Sequence, residues 1–159
     1  MDDLLRAQYA LTQSARGVLL DYCASLTPAH LVAPLPAFNN SSIRDLLVHM
    51  ANTYYHWLGV VARQLPPRYF EPAAVPDVAA LRTCFARVDE LVTEFLARAA
   101  GHEQQAEWLT VTRRPEPLPL TPLQLFTHVL THEFHHKGQV LSMSRQLGYL
   151  PVDTDVIRT

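Results

Sequence analysis

The sequence predicts an all-α protein, an antiparallel four-helix bundle with a long crossover connection. Apolar residues recur at three- and four-residue steps in four separate segments, which is the spacing of an amphipathic helix. Connections that contain proline separate these segments, and no segment shows the alternating pattern of a β-strand. The chain has 159 residues, 48% of them hydrophobic, which suits one domain over residues 1–159 with a single core.

The first two predicted helices have recognisable limits. The first runs from about Asp3 to Leu26, ahead of a proline-bearing stretch that holds the chain out of helix. The second opens at Ser42, which is followed three residues later by Asp45, a pattern typical of a capping box. We expect this helix to end before Pro66.

The third predicted helix begins near Asp77, a suitable N-cap, and stops at Gly101. A connection of about twenty residues then leads to Leu120, and loops of that length are often functional or packed as lids. The fourth helix starts at Thr121-Pro122-Leu123-Gln124, where a capping threonine, a first-turn proline and a glutamine at the third position all indicate a helix start. It ends at Gly148. Because it carries apolar residues on several sides, we expect it to be among the most buried helices or to lie at an oligomer interface.

Charge and composition exclude several classes of protein. The formal net charge is −2, which gives no electrostatic reason to expect nucleic acid or an anionic membrane as a partner. No run of 18 apolar residues is present, and the N-terminal segment lacks the features of a secretory signal, so we expect a cytoplasmic protein. The two cysteines, Cys23 and Cys84, are interpreted as small buried core residues.

The most informative feature is a cluster of histidines in the fourth helix: His128, His132, His135 and His136. The four-residue spacing places His128, His132 and His136 along one side of the helix, whereas His135 points elsewhere. The stripe from His128 to His136 is roughly 12 Å long, too long for one ion. A metal ion could therefore take either the 128/132 pair or the 132/136 pair.

A third ligand has to come from another helix, as in bundle cores where facing helices supply the side chains of metal sites. The second helix offers His49 and His56, both near the edge of its apolar stripe. Spacing alone does not choose between them. The simpler interpretation is that such histidines are surface residues or hydrogen-bonded core residues.

His132 to His136 also matches the H-E-x-x-H pattern of zinc metalloproteases, in which Glu133 would be the general base. The usual context is missing, because no further glutamate or histidine follows in the chain to supply a third ligand. The chain also lacks a strand pattern that could hold an extended peptide. We therefore regard a protease as the weaker interpretation.

Two stretches resemble the DinB family of four-helix-bundle proteins, a family of metalloenzyme candidates. The first is Ser42-Ile43-Arg44-Asp45-Leu46-Leu47-Val48-His49-Met50, followed by Tyr55-His56-Trp57-Leu58. The second is Thr131-His132-Glu133-Phe134-His135-His136-Lys137-Gly138-Gln139-Val140. The resemblance implies that His49, His132 and His136 form a metal triad and that the protein is a homodimer. The sequence departs from the family pattern at Lys137, where arginine is common, and it has two additional histidines, His56 and His128.

Three neutral imidazoles leave a divalent ion with open positions, which is a catalytic arrangement. Zinc and nickel are the ions we expect, and such an ion activates a bound water or thiol. The resemblance favours a thiol-dependent S-transferase that uses a low-molecular-weight thiol on a small-molecule substrate. The alternatives are a metal-dependent hydrolase and a non-enzymatic, stress-related dimeric metal-binding protein. We expect Glu133 to have a packing or surface role and Gln139 to orient a ligand or to make an interhelical hydrogen bond.

Overall fold

The computed structural model describes residues 2–112 and 114–158. The five α-helices are α1 (Asp2–Ala24), α2 (Pro28–Leu31), α3 (Ile43–Tyr54), α4 (Val78–Ala99) and α5 (Pro122–Gln146). A π-helix, Tyr55–Val61, continues α3, and short 3-10 turns occur at Pro36–Phe38 and Pro72–Ala74. The two strands are β1 (Glu107–Leu109) and β2 (Leu118–Leu120). The mostly helical structure confirms the predicted class, and the four long helices lie where the four apolar segments were predicted.

The predicted helix starts are confirmed by their hydrogen bonds. At the start of α3, Ser42 and Asp45 cap each other's backbone amides, so both halves of the capping box are formed. The side chain of Asp77 accepts from the Ala80 amide at 2.8 Å and caps α4. Thr121 and Gln124 make the second capping box, at the start of α5. These caps use only local atoms, which is why the sequence predicts them well.

The helices enclose one hydrophobic core. α3 packs mainly on α5 and α4, and α1 packs mainly on α4 and α5. Side chains from all four meet in the centre, including Leu19, Leu47, Val92, Phe126 and Met143, each at most 1% exposed. α3 has the larger buried fraction, with seven of its twelve residues buried against ten of twenty-five in α5. Burial therefore does not set α5 apart from α3, and the alternative, that α5 lies at an oligomer interface, stays a prediction.

The prediction that the chain contains no strands was wrong. β1 and β2 form an antiparallel pair within the long connection between α4 and α5, with Trp108 opposite Pro119. Strands of three residues are too short to show alternation, and a proline within a strand argues against one in sequence analysis. β2 ends shortly before α5 begins, and the hairpin gives this part of the long connection a defined conformation.

Two further predictions concern the cysteines and membranes. Cys23 and Cys84 are free and buried, as predicted. Burial raises the pKa of the Cys23 thiol to about 12 and also raises that of Cys84, so both stay protonated at neutral pH. None of the helices in the described residues combines the length and the apolar character needed to cross a bilayer.

Candidate metal centre

Three histidines from two helices meet between α3 and α5. His49 comes from α3, and His132 and His136 come from successive turns of α5. One ligand atom of each lies within 4.8 Å of the other two. The ring centroids are 5.0 Å apart for His49 and His132, 4.8 Å for His49 and His136, and 4.3 Å for His132 and His136. The structure thus brings together the three histidines that the family resemblance implies as metal ligands. Together they could hold a metal ion.

The two histidines of α5 face each other as two ligands of one ion would. Their Nε2 atoms are 3.1 Å apart. Zinc holds imidazole nitrogens at about 2.0–2.1 Å, so two such ligands on a tetrahedral ion are roughly 3.4 Å apart. His49 is the exposed member of the group, and the three donor atoms lie within 4.8 Å of one another, so they would have to draw closer to complete such a shell. The donor set therefore fits a divalent transition metal with a modest side-chain adjustment.

Gln139 fixes the protonation of His136. The Nδ1–H of His136 donates to Oε1 of Gln139 at 2.6 Å, which leaves the lone pair on Nε2 directed at His132. The predicted ligand-orienting role of Gln139 is therefore supported by a direct contact. His132 has no equivalent support, because its Nδ1 is buried without a hydrogen-bond partner among the described residues. One α5 ligand is thus oriented by a neighbour and the other is not.

The environment keeps the triad neutral. Burial and, after it, the neighbouring imidazoles, His136 first, together lower the pKa of His132 to about 4, because a second positive charge would lie close by. Burial also lowers the pKa values of His49 and His136. Neutral imidazoles are the form that binds metal, so at neutral pH the three ligands have lone pairs available without losing protons.

A cleft of about 300 Å³ opens beside the triad and is lined by His49, Asn52, Thr53, His56, Trp57, Tyr69 and His132. The π-helix that continues α3 carries His56 and Trp57 to its edge, and π-helical turns occur often at functional sites. Asn52 ties α3 to the segment that carries Tyr69, because its side-chain amide donates to the Phe70 carbonyl at 2.9 Å and accepts from the Phe70 amide at 2.8 Å. This cleft gives a small molecule access to the triad.

The remaining histidines lie around the triad rather than in it. His56 Nδ1 contacts the Tyr69 hydroxyl at 2.8 Å. The His128 ring packs on Trp57, with centroids 4.8 Å apart, and its centroid is 6.0 Å from that of His132. His135 is exposed and its ring centroid is 4.9 Å from that of His136. Of the open alternatives, the 132/136 pair with His49 is the set that converges.

The comparison with protein families agrees with this arrangement. The model of the DinB family matches residues 1–159, the whole chain. The chain belongs to the DinB family. A comparison with curated proteins finds no match to this sequence. Family membership and the three converging histidines together support metal binding by this DinB protein.

Glu133 of this DinB protein faces away from the triad. It is 3% exposed and accepts two parallel hydrogen bonds from Arg16, from Nε to Oε1 and from Nη2 to Oε2, both 2.9 Å. Tyr54 donates to the same carboxylate at 2.5 Å. The packing role predicted for Glu133 is confirmed, in the form of a buried ion pair. Since its oxygens are occupied by Arg16 and Tyr54 in the core, the protease interpretation loses its general base.

Sequence analysis missed the partner, Arg16. It is 3% exposed within α1, also binds Asp89 at 2.7 Å, and its guanidinium lies 4.7 Å from the Phe85 ring centroid. The available signal was an arginine within the apolar face of a helix, beside Ala15 and Leu19. A buried arginine needs an acidic partner, but the sequence offers fifteen aspartates and glutamates and does not say which one it meets.

Lys137, the departure from the usual family arginine, anchors the C-terminal segment of the DinB chain. It is 6% exposed, and its Nζ donates to the Thr154 carbonyl at 2.7 Å and pairs with Asp155 at 3.1 Å. Its ammonium group also lies 4.5 Å from the centre of the Phe134 ring. The residue next to a triad histidine thus fastens a segment seventeen residues further along the chain.

Proposed function

We propose that this DinB protein is a divalent-metal-dependent enzyme whose ion is held by His49, His132 and His136. The observation that carries the proposal is the convergence of three imidazoles from two helices within 4.8 Å, beside an open cleft. The depressed pKa values keep these ligands neutral. Imidazole nitrogens suit zinc, nickel, copper or iron, and of these we propose zinc or nickel.

We infer that α1, α3, α4 and α5 form an antiparallel four-helix bundle in a single domain over residues 1–159. The support is the packing pattern, in which α1 and α3 each pack mainly on α4 and α5. In this arrangement α1 lies diagonally across the bundle from α3, and α4 lies diagonally across from α5. The long connections that precede α3 and α5 would therefore be crossovers. The ligand-bearing helices are then direct neighbours.

The favoured chemistry is transfer of a low-molecular-weight thiol to a small electrophile. A divalent ion in the triad would lower the pKa of a bound thiol and supply a nucleophile at neutral pH. The chain's own residues hold the ligands and shape the cleft. Gln139 keeps the His136 proton on Nδ1, and Trp57 and Tyr69 provide apolar surface for a substrate.

The cleft supplies no carboxylate to act as a general base. Its lining consists of neutral polar and aromatic side chains, and the nearby Glu133 is held by Arg16 and Tyr54. A thiol needs only to lose its own proton, for which the bound ion and a neutral histidine such as His56 suffice. The ion would activate a bound water as well, but a thiol starts from a pKa of about 8.5 and water from about 15.7, so thiol transfer needs less help from a base than hydrolysis does.

The other parts of the proposal rest on family membership. We propose a homodimer that acts in the cytoplasm in a stress response and has a small-molecule substrate. A non-enzymatic metal-binding dimer is the second candidate, and the observation that favours it is the exposure of His49, which leaves the ion site close to the surface.

The test uses protein purified without a polyhistidine tag and loaded with zinc or nickel. Conjugation of an electrophile such as 1-chloro-2,4-dinitrobenzene is followed with several small thiols, for wild type, His132→Ala and His128→Ala. The proposal expects thiol-dependent turnover in wild type and His128→Ala and its loss in His132→Ala. Metal binding without turnover with any thiol would leave the non-enzymatic candidate.

A further inference from the structure

A second cavity, of about 290 Å³, lies near the start of α5, away from the histidine triad. Its walls come from the end of α4, the β-hairpin and the first turn of α5. Phe95, Leu109, Leu120 and Leu125 provide its apolar surface. Leu125 precedes His132 by seven residues, which is roughly 10 Å along the helix axis. A ligand in this cavity would therefore not touch the triad.

The rim of the cavity is rich in nitrogen-bearing side chains. Arg63, Arg98 and His102 line it, together with one acid, Glu107. The charge of Arg63 is compensated, because its Nη1 pairs with Glu94 at 2.6 Å. Arg98 is exposed, and neither it nor Glu107 forms an ion pair within the described residues. Arg98 is thus a cation in the cavity lining that has no acidic partner within 4.0 Å in the part of the chain that the structure describes.

We propose that this cavity binds a small organic anion, a carboxylate that carries an aromatic or branched apolar body. The apolar walls would remove the body from water, and the planar guanidinium of Arg98 would pair with the carboxylate at the mouth. The volume lies at the small end of the range for organic ligands. The proposal is independent of the metal-dependent function, because none of its residues belongs to the triad or its cleft.

The probe for the test is 1-naphthoate, with neutral 1-naphthamide as its matched analogue, titrated by calorimetry into the purified protein. We expect 1-naphthoate to bind and the amide to bind about tenfold more weakly, because a hydrogen bond to a charged group is lost. Arg98→Gln should weaken 1-naphthoate binding by a similar factor. Glu107→Gln should tighten it, because it removes the one acidic side chain of the rim. Both residues are exposed, so the fold should survive, as a thermal melt would verify.

A carboxylate could also bind a metal ion in the triad, and His132→Ala separates the two sites. Retained binding in His132→Ala supports the cavity near α5. Binding that is lost in His132→Ala and unchanged in Arg98→Gln would place the anion at the triad and overturn the proposal. Equal affinities for 1-naphthoate and 1-naphthamide, or no binding of either, would also overturn it, and the thiol-transfer proposal would be unaffected.

Discussion

The hydroxyl of Tyr54 donates to Oε2 of Glu133 across 2.5 Å and joins α3 to α5 beside the histidine triad. Tyr54 lies five residues after His49, and Glu133 directly follows His132. Burial raises the pKa of Tyr54 well above its usual value, and the nearby Glu133 carboxylate acts in the same direction, so the phenol keeps the proton that it donates. The two helices that carry the ligands are therefore held together by a buried bond next to the site.

Replacement of Glu133 by glutamine should destabilise the fold by about 3 kcal/mol, because it removes the buried carboxylate that pairs with Arg16 and leaves only the more exposed Asp89 as an acidic partner. Urea unfolding of the metal-free protein measures this loss. The matched control is Glu94→Gln, which breaks the exposed pair with Arg63 and should cost less than about 1 kcal/mol. A Glu133→Gln protein as stable as wild type but without metal-dependent turnover would instead make Glu133 a general base.

Tyr54→Phe removes one hydrogen bond to a charged acceptor and should cost about 1.5–3 kcal/mol. If the bond sets the approach of α3 to α5, the variant should also bind zinc more weakly, which competition with a chromogenic chelator measures. Tyr22→Phe is a suitable control, because Tyr22 donates to Ser144 on α5 at 2.9 Å, two turns beyond His136. Equal zinc affinities for Tyr54→Phe and wild type would limit Tyr54 to a stabilising role.

Gln139→Ala should weaken zinc binding by about tenfold, because the hydrogen bond that holds the proton on Nδ1 of His136 is lost. The fold should change little, since the Gln139 side chain is only partly buried at the site. His135→Ala, which removes an exposed histidine next to His136, should leave the affinity unchanged. Equal losses in the two variants would contradict an orienting role for Gln139.

Acid should destabilise the metal-free protein partly through His132. Its pKa is about 4 in the folded chain and about 6.5 when unfolded, so between these values the unfolded chain binds more protons. Stability should therefore be lost as the pH falls from about 6.5 to about 4. His132→Asn should show a shallower loss over this window when unfolding is measured against pH. If the free energy of unfolding falls equally with pH in wild type and His132→Asn, the lowered pKa of His132 is contradicted.

Lys137→Met should release residues 151–158, because Lys137 supplies the buried donor to the Thr154 carbonyl. Hydrogen exchange in the peptide that covers this segment should accelerate, and the free energy of unfolding should fall by about 1–3 kcal/mol. Asp155→Asn removes only the exposed partner, 79% accessible, and should have a much smaller effect. Unchanged exchange in Lys137→Met would mean that other contacts hold the segment.

The helices and their caps could be predicted from sequence because both depend on nearby residues. The bonds of Ser42 with Asp45 and of Thr121 with Gln124 span three positions, and the pattern alone is informative. The strands could not be predicted, because their pairing joins residues that are far apart in the sequence. Glu107 pairs with Leu120 across the long connection, and three residues on each side carry too little pattern to predict a hairpin.

The site was only partly predictable. The spacing of His132 and His136 on one helix face follows from helix geometry, and the structure shows their Nε2 atoms in contact. His49 lies in α3 and His56 in the π-helix that continues it, and only the packing of these helices against α5 decides which of the two reaches the α5 pair. The ion pair of Arg16 with Glu133 spans 117 residues, and spacing gives no information on such a contact.

The most direct test of the central claim is the metal content of tag-free protein after zinc loading and gel filtration, measured by atomic emission for each single histidine variant. We expect about one zinc per chain in wild type, His56→Ala and His128→Ala, and a large loss in His49→Ala, His132→Ala and His136→Ala. Full zinc content in His49→Ala, or its loss in His128→Ala, would contradict a site built from residues 49, 132 and 136.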